Sequence, residues 1–132
     1  MVTLFLMLNQ DIILCRKASY SVGLGSQLSP HGTGANLDLE VRLKGRIDPK
    51  TDLVVNLTDV QKALDKLYRI IDHKHFQYDV SGFEGDASSY QDIAQFCWDF
   101  LNPELVFENA KLHELELQFN ESASVIISDK QN

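Results

Sequence analysis

Leu37-Asp-Leu-Glu-Val-Arg-Leu-Lys44 decides the fold class, because its period is two. Leu37, Leu39, Val41 and Leu43 fall on one side and Asp38, Glu40, Arg42 and Lys44 on the other, the pattern of a β-strand with one buried and one wet face. Past a turn over 45–51 that carries Asp48-Pro49, the period changes. Val60, Ala63, Leu64, Leu67, Ile70 and Ile71 recur at steps of three and four, which predicts an amphipathic helix of about four turns. Asn56 is placed to cap it, because its side-chain oxygen can accept from an orphan backbone N–H. Asp59 in the first turn suits the positive end of the helix dipole.

Working outward, 11–22 is rich in Ile, Leu, Tyr and Val and reads as a strand before the strand at Leu37. The Gly-, Ser- and Pro-rich stretch 23–34 between them reads as a loop. After the helix, 72–86 is polar with two glycines and reads as a loop. Ile93, Phe96, Cys97, Phe100 and Leu101 predict a second helix, stopped by Asn102-Pro103. Leu115, Leu117 and Phe119 alternate with Glu114, Glu116 and Gln118. Val125, Ile126 and Ile127 follow a short polar turn over 120–124. The order is ββααββ: an α+β fold whose four-stranded antiparallel sheet is covered on one face by two helices lying between strands 2 and 3. The sheet has two edges to cover, so an oligomer is expected.

The chain has 132 residues, enough for one domain with one core. We read 1–132 as a single domain, with 1–10 as an N-terminal extension. The apolar run Met1 to Leu8 is far shorter than the ~20 residues a membrane span needs, and it has no basic n-region or small-residue cleavage site. The net charge is -7 and there is no basic cluster, so nucleic acid is not an expected partner. Cys15 and Cys97 are unpaired in any motif and read as buried free thiols of a cytoplasmic protein.

Three stretches carry a resemblance. They are Gly45-Arg-Ile-Asp-Pro-Lys-Thr-Asp-Leu-Val-Val-Asn-Leu-Thr-Asp-Val60 between strand and helix, Ile71-Asp72-His73-Lys74 at the helix end, and Trp98-Asp99 in the second helix. The chain resembles, from about Cys15 to Ser128, the 6-pyruvoyl/6-carboxytetrahydropterin synthases, lyases of the tunnelling fold. The resemblance implies that fold, a trimer or homohexamer with pockets between subunits, and a pterin- or purine-like small molecule as ligand. It also implies a zinc ion on one histidine of an Ala-Ser-His segment and two of a Gly-His-Gly-His-Asn segment. Here those segments read Ala18-Ser19-Tyr20 and Gly32-Thr33-Gly34-Ala35-Asn36, so Tyr20, Thr33 and Ala35 stand at the three ligand positions. Oxygen donors suit zinc poorly and alanine offers none, so no metal and no other cofactor is expected. His31 lies two residues before Thr33 and is the one candidate for a shifted ligand in that segment.

The family's nucleophilic cysteine falls near Gln27. Its pterin-anchoring glutamate aligns with Asn120, with Glu121 one residue away. Its Thr-Thr-Glu-Asn run becomes Ser89-Tyr90-Gln91-Asp92, so Ser89 and Gln91 join the ligand-binding candidates. Asp72-His73 survives. It reads either as an acid–base pair, in which a carboxylate sets the tautomer of an imidazole, or as a helix cap and loop anchor. Three functions follow: a homologue that binds a heterocycle with the zinc-dependent reaction lost; a metal-free lyase or aldolase-type enzyme using Asp72, His73 and a pocket-facing Tyr20; and an active synthase with zinc on a rearranged site of His31, His73 and His75. His75 otherwise reads as a surface histidine.

Overall fold

The computed structural model describes residues 10–24, 33–86 and 89–129. Its elements in chain order are β1 (Ile12–Leu24), β2 (Thr33–Gly45), α1 (Leu57–Ile71), β3 (Lys74–His75), α2 (Phe76–Asp79), α3 (Tyr90–Glu104), β4 (Ala110–Asn120) and β5 (Ala123–Ser128). They form one sheet of order β3-β1-β2-β4-β5. β1–β2, β2–β4 and β4–β5 run antiparallel, and β3 is parallel to β1 at Val22 and Gly23.

The expected α+β order holds, with one addition. A fifth, two-residue strand and a one-turn helix occupy the stretch read as loop. Phe76 drives this local order: it is fully buried and packs edge-on against Phe83 and Phe96. His75 then caps α2, its Nδ1 accepting from the Gln77 N–H at 3.1 Å. Gly23 permits β3 to close on β1, since a Cβ there would stand 3.1–3.3 Å from His75.

Alternation along the strands sorts the sheet into two faces. Tyr20, Val22, Leu37, Leu39, Val41, Leu43, Leu115 and Leu117 face the helices and are buried. Against them α1 lays Val60, Ala63, Leu64, Leu67 and Ile71, and α3 lays Ile93, Ala94, Cys97, Trp98 and Leu101. The Asn56 cap is made, its side chain accepting from the Thr58 N–H at 2.9 Å, a contact that stabilises a helix by about 1 kcal/mol.

α3 outlasts its expected stop. Pro103 lies in its last turn, where proline removes one ladder bond from a helix end that is already fraying. Leu105 still closes on the Leu101 carbonyl at 2.9 Å.

Among the described residues the other face carries no helix. Arg42 stands at its centre, bonded to Glu40 at 2.5 Å, to Glu114 at 3.2 Å and to Glu116. Ser19 donates to Asp38 at 2.6 Å and Ser21 to Asn36 at 3.1 Å. Cys15 lies on this side and is exposed, which corrects the reading of two buried thiols; Cys97 is the buried one. Strand parity decides it, because odd positions of β1 point away from the helices.

Candidate functional site

The end of α1 delivers the Asp72-His73 pair to the end of β1. Asp72 caps α1, its N–H donating to the Tyr68 carbonyl at 2.9 Å. Its Oδ1 accepts from the Ser21 N–H at 2.9 Å, and its Oδ2 meets His73 Nδ1 at 2.5 Å. The His73 N–H donates to the Ser21 carbonyl at 2.6 Å. Ser21 therefore grips both residues through its backbone. That grip holds His73 at φ +60, a conformation that costs an L-residue about 1–2 kcal/mol.

The electrostatics follow from the donors. The Ser21 N–H holds the Asp72 carboxyl below the usual carboxylate range; Tyr68 and His73 add to this and desolvation opposes it. The neighbouring Asp72 carboxylate in turn pushes the Tyr68 phenol up. Asp72 is 8% exposed at its side chain and His73 is 78% exposed. With Nδ1–H turned to the carboxylate, His73 presents Nε2 to solvent as an acceptor. This is the arrangement in which an imidazole can take a proton from a ligand. The cap and the pair are thus one object: the anchoring role and the acid–base geometry coexist.

Tyr20 is not where a pocket-facing acid would be. It is 2% exposed, and its hydroxyl donates to the Leu64 carbonyl at 3.2 Å. Burial, with Cys97, Asp65 and Asp72 nearby, raises its phenol well above the ordinary range. The expectation of a pocket-facing Tyr20 is corrected: β1 parity turns it into the core. Register pairs Tyr20 with Leu37, Val22 with Ala35 and Leu24 with Thr33. Positions 20, 33 and 35 therefore share one alternation at one end of the sheet, as a common site would require. Gln27 and His31 lie outside the described residues.

His75 is committed elsewhere. Its N–H donates to Asp79 at 3.0 Å, its ring lies 4.7 Å from that of Tyr78, and its Nδ1 lone pair is spent on the Gln77 N–H. The proton is thus on Nε2, which is shielded and without a partner, so His75 offers no metal a lone pair. Among the described residues, no group of three or more His, Cys, Asp and Glu is placed to hold a metal ion.

The ligand-binding candidates form a second cluster. Ser89 caps α3, its hydroxyl accepting from the Asp92 N–H, and Gln91 is exposed beside it. Tyr90 stacks flat on Phe119, ring centroids 3.9 Å apart and 6° between planes, which brings Ser89 and Gln91 to the Asn120 turn. Asn120 spends its Oδ1 on the Ser122 N–H at 2.8 Å and hydroxyl at 3.0 Å; Glu121 at the turn is exposed. From the β3 side to β4 there are three strand steps, roughly 14 Å at ~4.8 Å each. One chain therefore does not bring Asp72-His73 and Asn120-Glu121 together.

Sequence reasoning missed Tyr68 and Ser21. Tyr68 carried a usable signal, lying four residues before Asp72 and hence on the same side of the helix. The Ser21 contact is a backbone one and leaves no mark on residue type. A cleft of about 770 Å³ opens at the opposite end of the sheet. Its cations are matched within it: Lys44 and Arg46 on Asp11 at 3.9 and 3.3 Å, and Lys111 on Asp129 at 3.0 Å. Glu108 and His113 also line it.

Comparison with known proteins points in one direction. The family model described as 6-pyruvoyl tetrahydropterin synthase matches residues 14–130. The 6-pyruvoyl tetrahydrobiopterin synthase of Poecilia reticulata is 39% identical over 72 residues, 54% of this chain and 49% of that protein. That of Pongo abelii is 33% identical over 96 residues, 70% of this chain and 66% of that one. The chain spans about half the length of the first of these relatives. The structure of Caenorhabditis elegans 6-pyruvoyl tetrahydropterin synthase superposes with a TM-score of 0.79 at 18% identity, over 92% of this chain and 97% of that chain. A Plasmodium vivax 6-pyruvoyltetrahydropterin synthase variant gives 0.70 at 13% identity, over 93% and 100%. At these identities the structural likeness is one of fold.

Proposed function

The chain belongs to the 6-pyruvoyl tetrahydropterin synthase family, and from that premise we propose that it is a divergent cytoplasmic member. It binds a pterin- or purine-like heterocycle at a subunit interface, in a trimer or hexamer, with the zinc-dependent reaction lost. The observation that carries this is Tyr20, whose hydroxyl is tied to the Leu64 carbonyl inside the core. A phenol buried in the core and committed to a backbone carbonyl is a poor metal donor. Alanine at position 35 supplies no donor, and zinc favours nitrogen and sulfur. The donor set does not fit zinc, and no step is routed through it.

The separation supports the interface: two clusters three strand steps apart would meet across two copies more readily than within one. The heterocycle's amino-pyrimidine edge suits Glu121, whose carboxylate can form a charge-assisted pair. Asn120 is the poorer anchor, since its oxygen already accepts twice within the turn. Elemental analysis of protein purified with zinc offered, followed by thermal shift with a panel of pterins and purines, tests the proposal. Substoichiometric metal and a rise in melting temperature are expected. A ligand at a hundred times its dissociation constant adds about 2.7 kcal/mol, several degrees for a domain of this size. Near one zinc per subunit, or no shift with any member of the panel, overturns it.

The Asp72-His73 geometry favours a second reading, metal-free proton transfer on the bound heterocycle. His73 Nε2 accepts a proton while Asp72 holds the resulting imidazolium. Tyr20 takes no part. Turnover without added metal, abolished in Asp72→Asn, is the expected result; turnover only with zinc rejects it.

A further inference from the structure

We propose that Gly23 is a positioning residue for the Asp72-His73 pair: its bare backbone lets β3 dock close enough on β1 for Ser21 to hold His73 with Nε2 outward. As a role in proton transfer this rests on the acid–base reading above; as a statement about the pair itself it stands alone.

The chain has to turn from the end of α1 into a strand parallel to β1, and it turns at His73. His73 takes φ +60 there, a conformation that an L-residue keeps only under outside support. That support comes from β1. Before the turn, Asp72 Oδ1 accepts from the Ser21 N–H at 2.9 Å. At the turn, the His73 N–H donates to the Ser21 carbonyl at 2.6 Å. After it, Lys74 and His75 pair with Val22 and Gly23. These contacts form one short ladder along β1, and Gly23 is its far rung. A two-residue strand is below the usual strand length, so its place depends on close approach at each rung.

At the Gly23 rung there is no room for a side chain. A Cβ on Gly23 would stand 3.1 Å from His75 Cδ2, 3.2 Å from its Cα and 3.3 Å from its Cβ. The His75 ring cannot swing aside to relieve this. Its Nδ1 accepts from the Gln77 N–H at 3.1 Å, and its ring centroid lies 4.7 Å from that of Tyr78. The His75 backbone is held as well, its N–H donating to Asp79 Oδ2 at 3.0 Å and the next residue, Phe76, being fully buried. β3 is therefore backed by α2, and a Cβ at position 23 moves the two together away from β1. That movement draws His73 with it and lengthens its bond to Ser21. The 2.5 Å contact between His73 Nδ1 and Asp72 Oδ2 then loses the fixed geometry that keeps the Nδ1–H tautomer and turns Nε2 to solvent.

The test uses the intact chain without ligand and reads His73 directly. A bond of 2.6 Å places the His73 amide proton far downfield. In Gly23→Ala that proton moves upfield and exchanges about tenfold faster. Nitrogen NMR shows the His73 ring passing from the Nδ1–H form toward a mixture of tautomers. The amides of Leu39 and Val41 keep their wild-type protection, because β2 lies at the centre of the sheet. A His75→Gly background removes two of the three crowded atoms. Gly23→Ala should therefore move the His73 amide less in that background than in the wild-type chain, a double-mutant cycle that isolates the contact. The proposal is overturned by a His73 amide and tautomer balance unchanged in folded Gly23→Ala. An equal shift in both backgrounds, or an equal loss of protection at Leu39 and Val41, overturns it too. Because no heterocycle is present, failure here leaves the binding proposal standing, and failure of the heterocycle panel leaves this result standing.

Discussion

Tyr20 and Ser21 are neighbours on β1 and their side chains face opposite sides of the sheet. Tyr20 turns to the helices, is sealed, and has its hydroxyl consumed by a helix carbonyl. Ser21 turns to the open face, and its backbone holds Asp72 and His73 in place beside it. At one end of one strand, one residue is built into the core and its neighbour holds the Asp72-His73 pair through its backbone. The difference teaches that the two halves of this site are separable. Filling the inner half with a phenol leaves the pair intact, because the pair hangs on backbone groups and on α1.

The largest expected effect breaks the inner half. Tyr20→Ala removes a buried aromatic ring and should cost about 3–5 kcal/mol in denaturant unfolding. Tyr20→Phe should cost only about 1 kcal/mol, the worth of one hydrogen bond. A loss within ±0.5 kcal/mol for the alanine variant, the range of ordinary surface changes, would mean that Tyr20 is not sealed and the contrast with Ser21 fails.

The next effect probes the open face. Arg42 bonds three carboxylates, and its guanidinium holds Glu114 below the usual glutamate range. A depressed carboxyl adds stability above its unfolded value, and that stability is lost as pH falls through the folded value. Arg42→Met should therefore lose about 1–3 kcal/mol at neutral pH, and the gap to wild type should close as the carboxylates protonate. A gap independent of pH would mean that Arg42 acts by packing alone.

These two faces were legible in the sequence to different depths. The period of two from Leu37 to Lys44 named the buried set and the wet set without error, because alternation is set by the pleat. The helix from Val60 to Ile71 and its Asn56 cap were readable for the same reason: local geometry dictates them. β3 and α2 were not, since a two-residue strand has no period and its order comes from Phe76 burying at a distance. Nor was the fate of Tyr20. The substitution was plain in Ala18-Ser19-Tyr20, but whether a phenol opens to a pocket or closes onto Leu64 depends on packing across 44 residues of chain. Tyr68 could have been found from its spacing to Asp72; Ser21 could not.

A smaller effect sharpens the Ser21 side. Asp72 is held low first by the Ser21 N–H, then by Tyr68 and His73. Its contribution is present above the ordinary aspartate value of about 3.9 and fades as pH falls through the lower folded value. Asp72→Asn should destabilise less than Arg42→Met at neutral pH, and the difference from wild type should vanish in strong acid. A difference that persists there would assign Asp72 a packing role rather than an ionic one.

The smallest effect leaves stability untouched and reads the two faces through sulfur. Cys15 lies at an odd position of β1, exposed on the open face, whereas Cys97 lies in the core side of α3. The thiolate is the reactive form, and burial pushes the Cys97 thiol up to about 12. At neutral pH Cys97 is therefore both shielded and protonated. A disulfide reagent should titrate one thiol per folded chain within minutes and the second only after denaturant unfolds the core. Cys15→Ser should abolish the fast reaction and keep the slow one. Two fast thiols would mean that α3 opens on the timescale of the assay, and the sealed inner face on which the Tyr20 argument stands would then be a transient one.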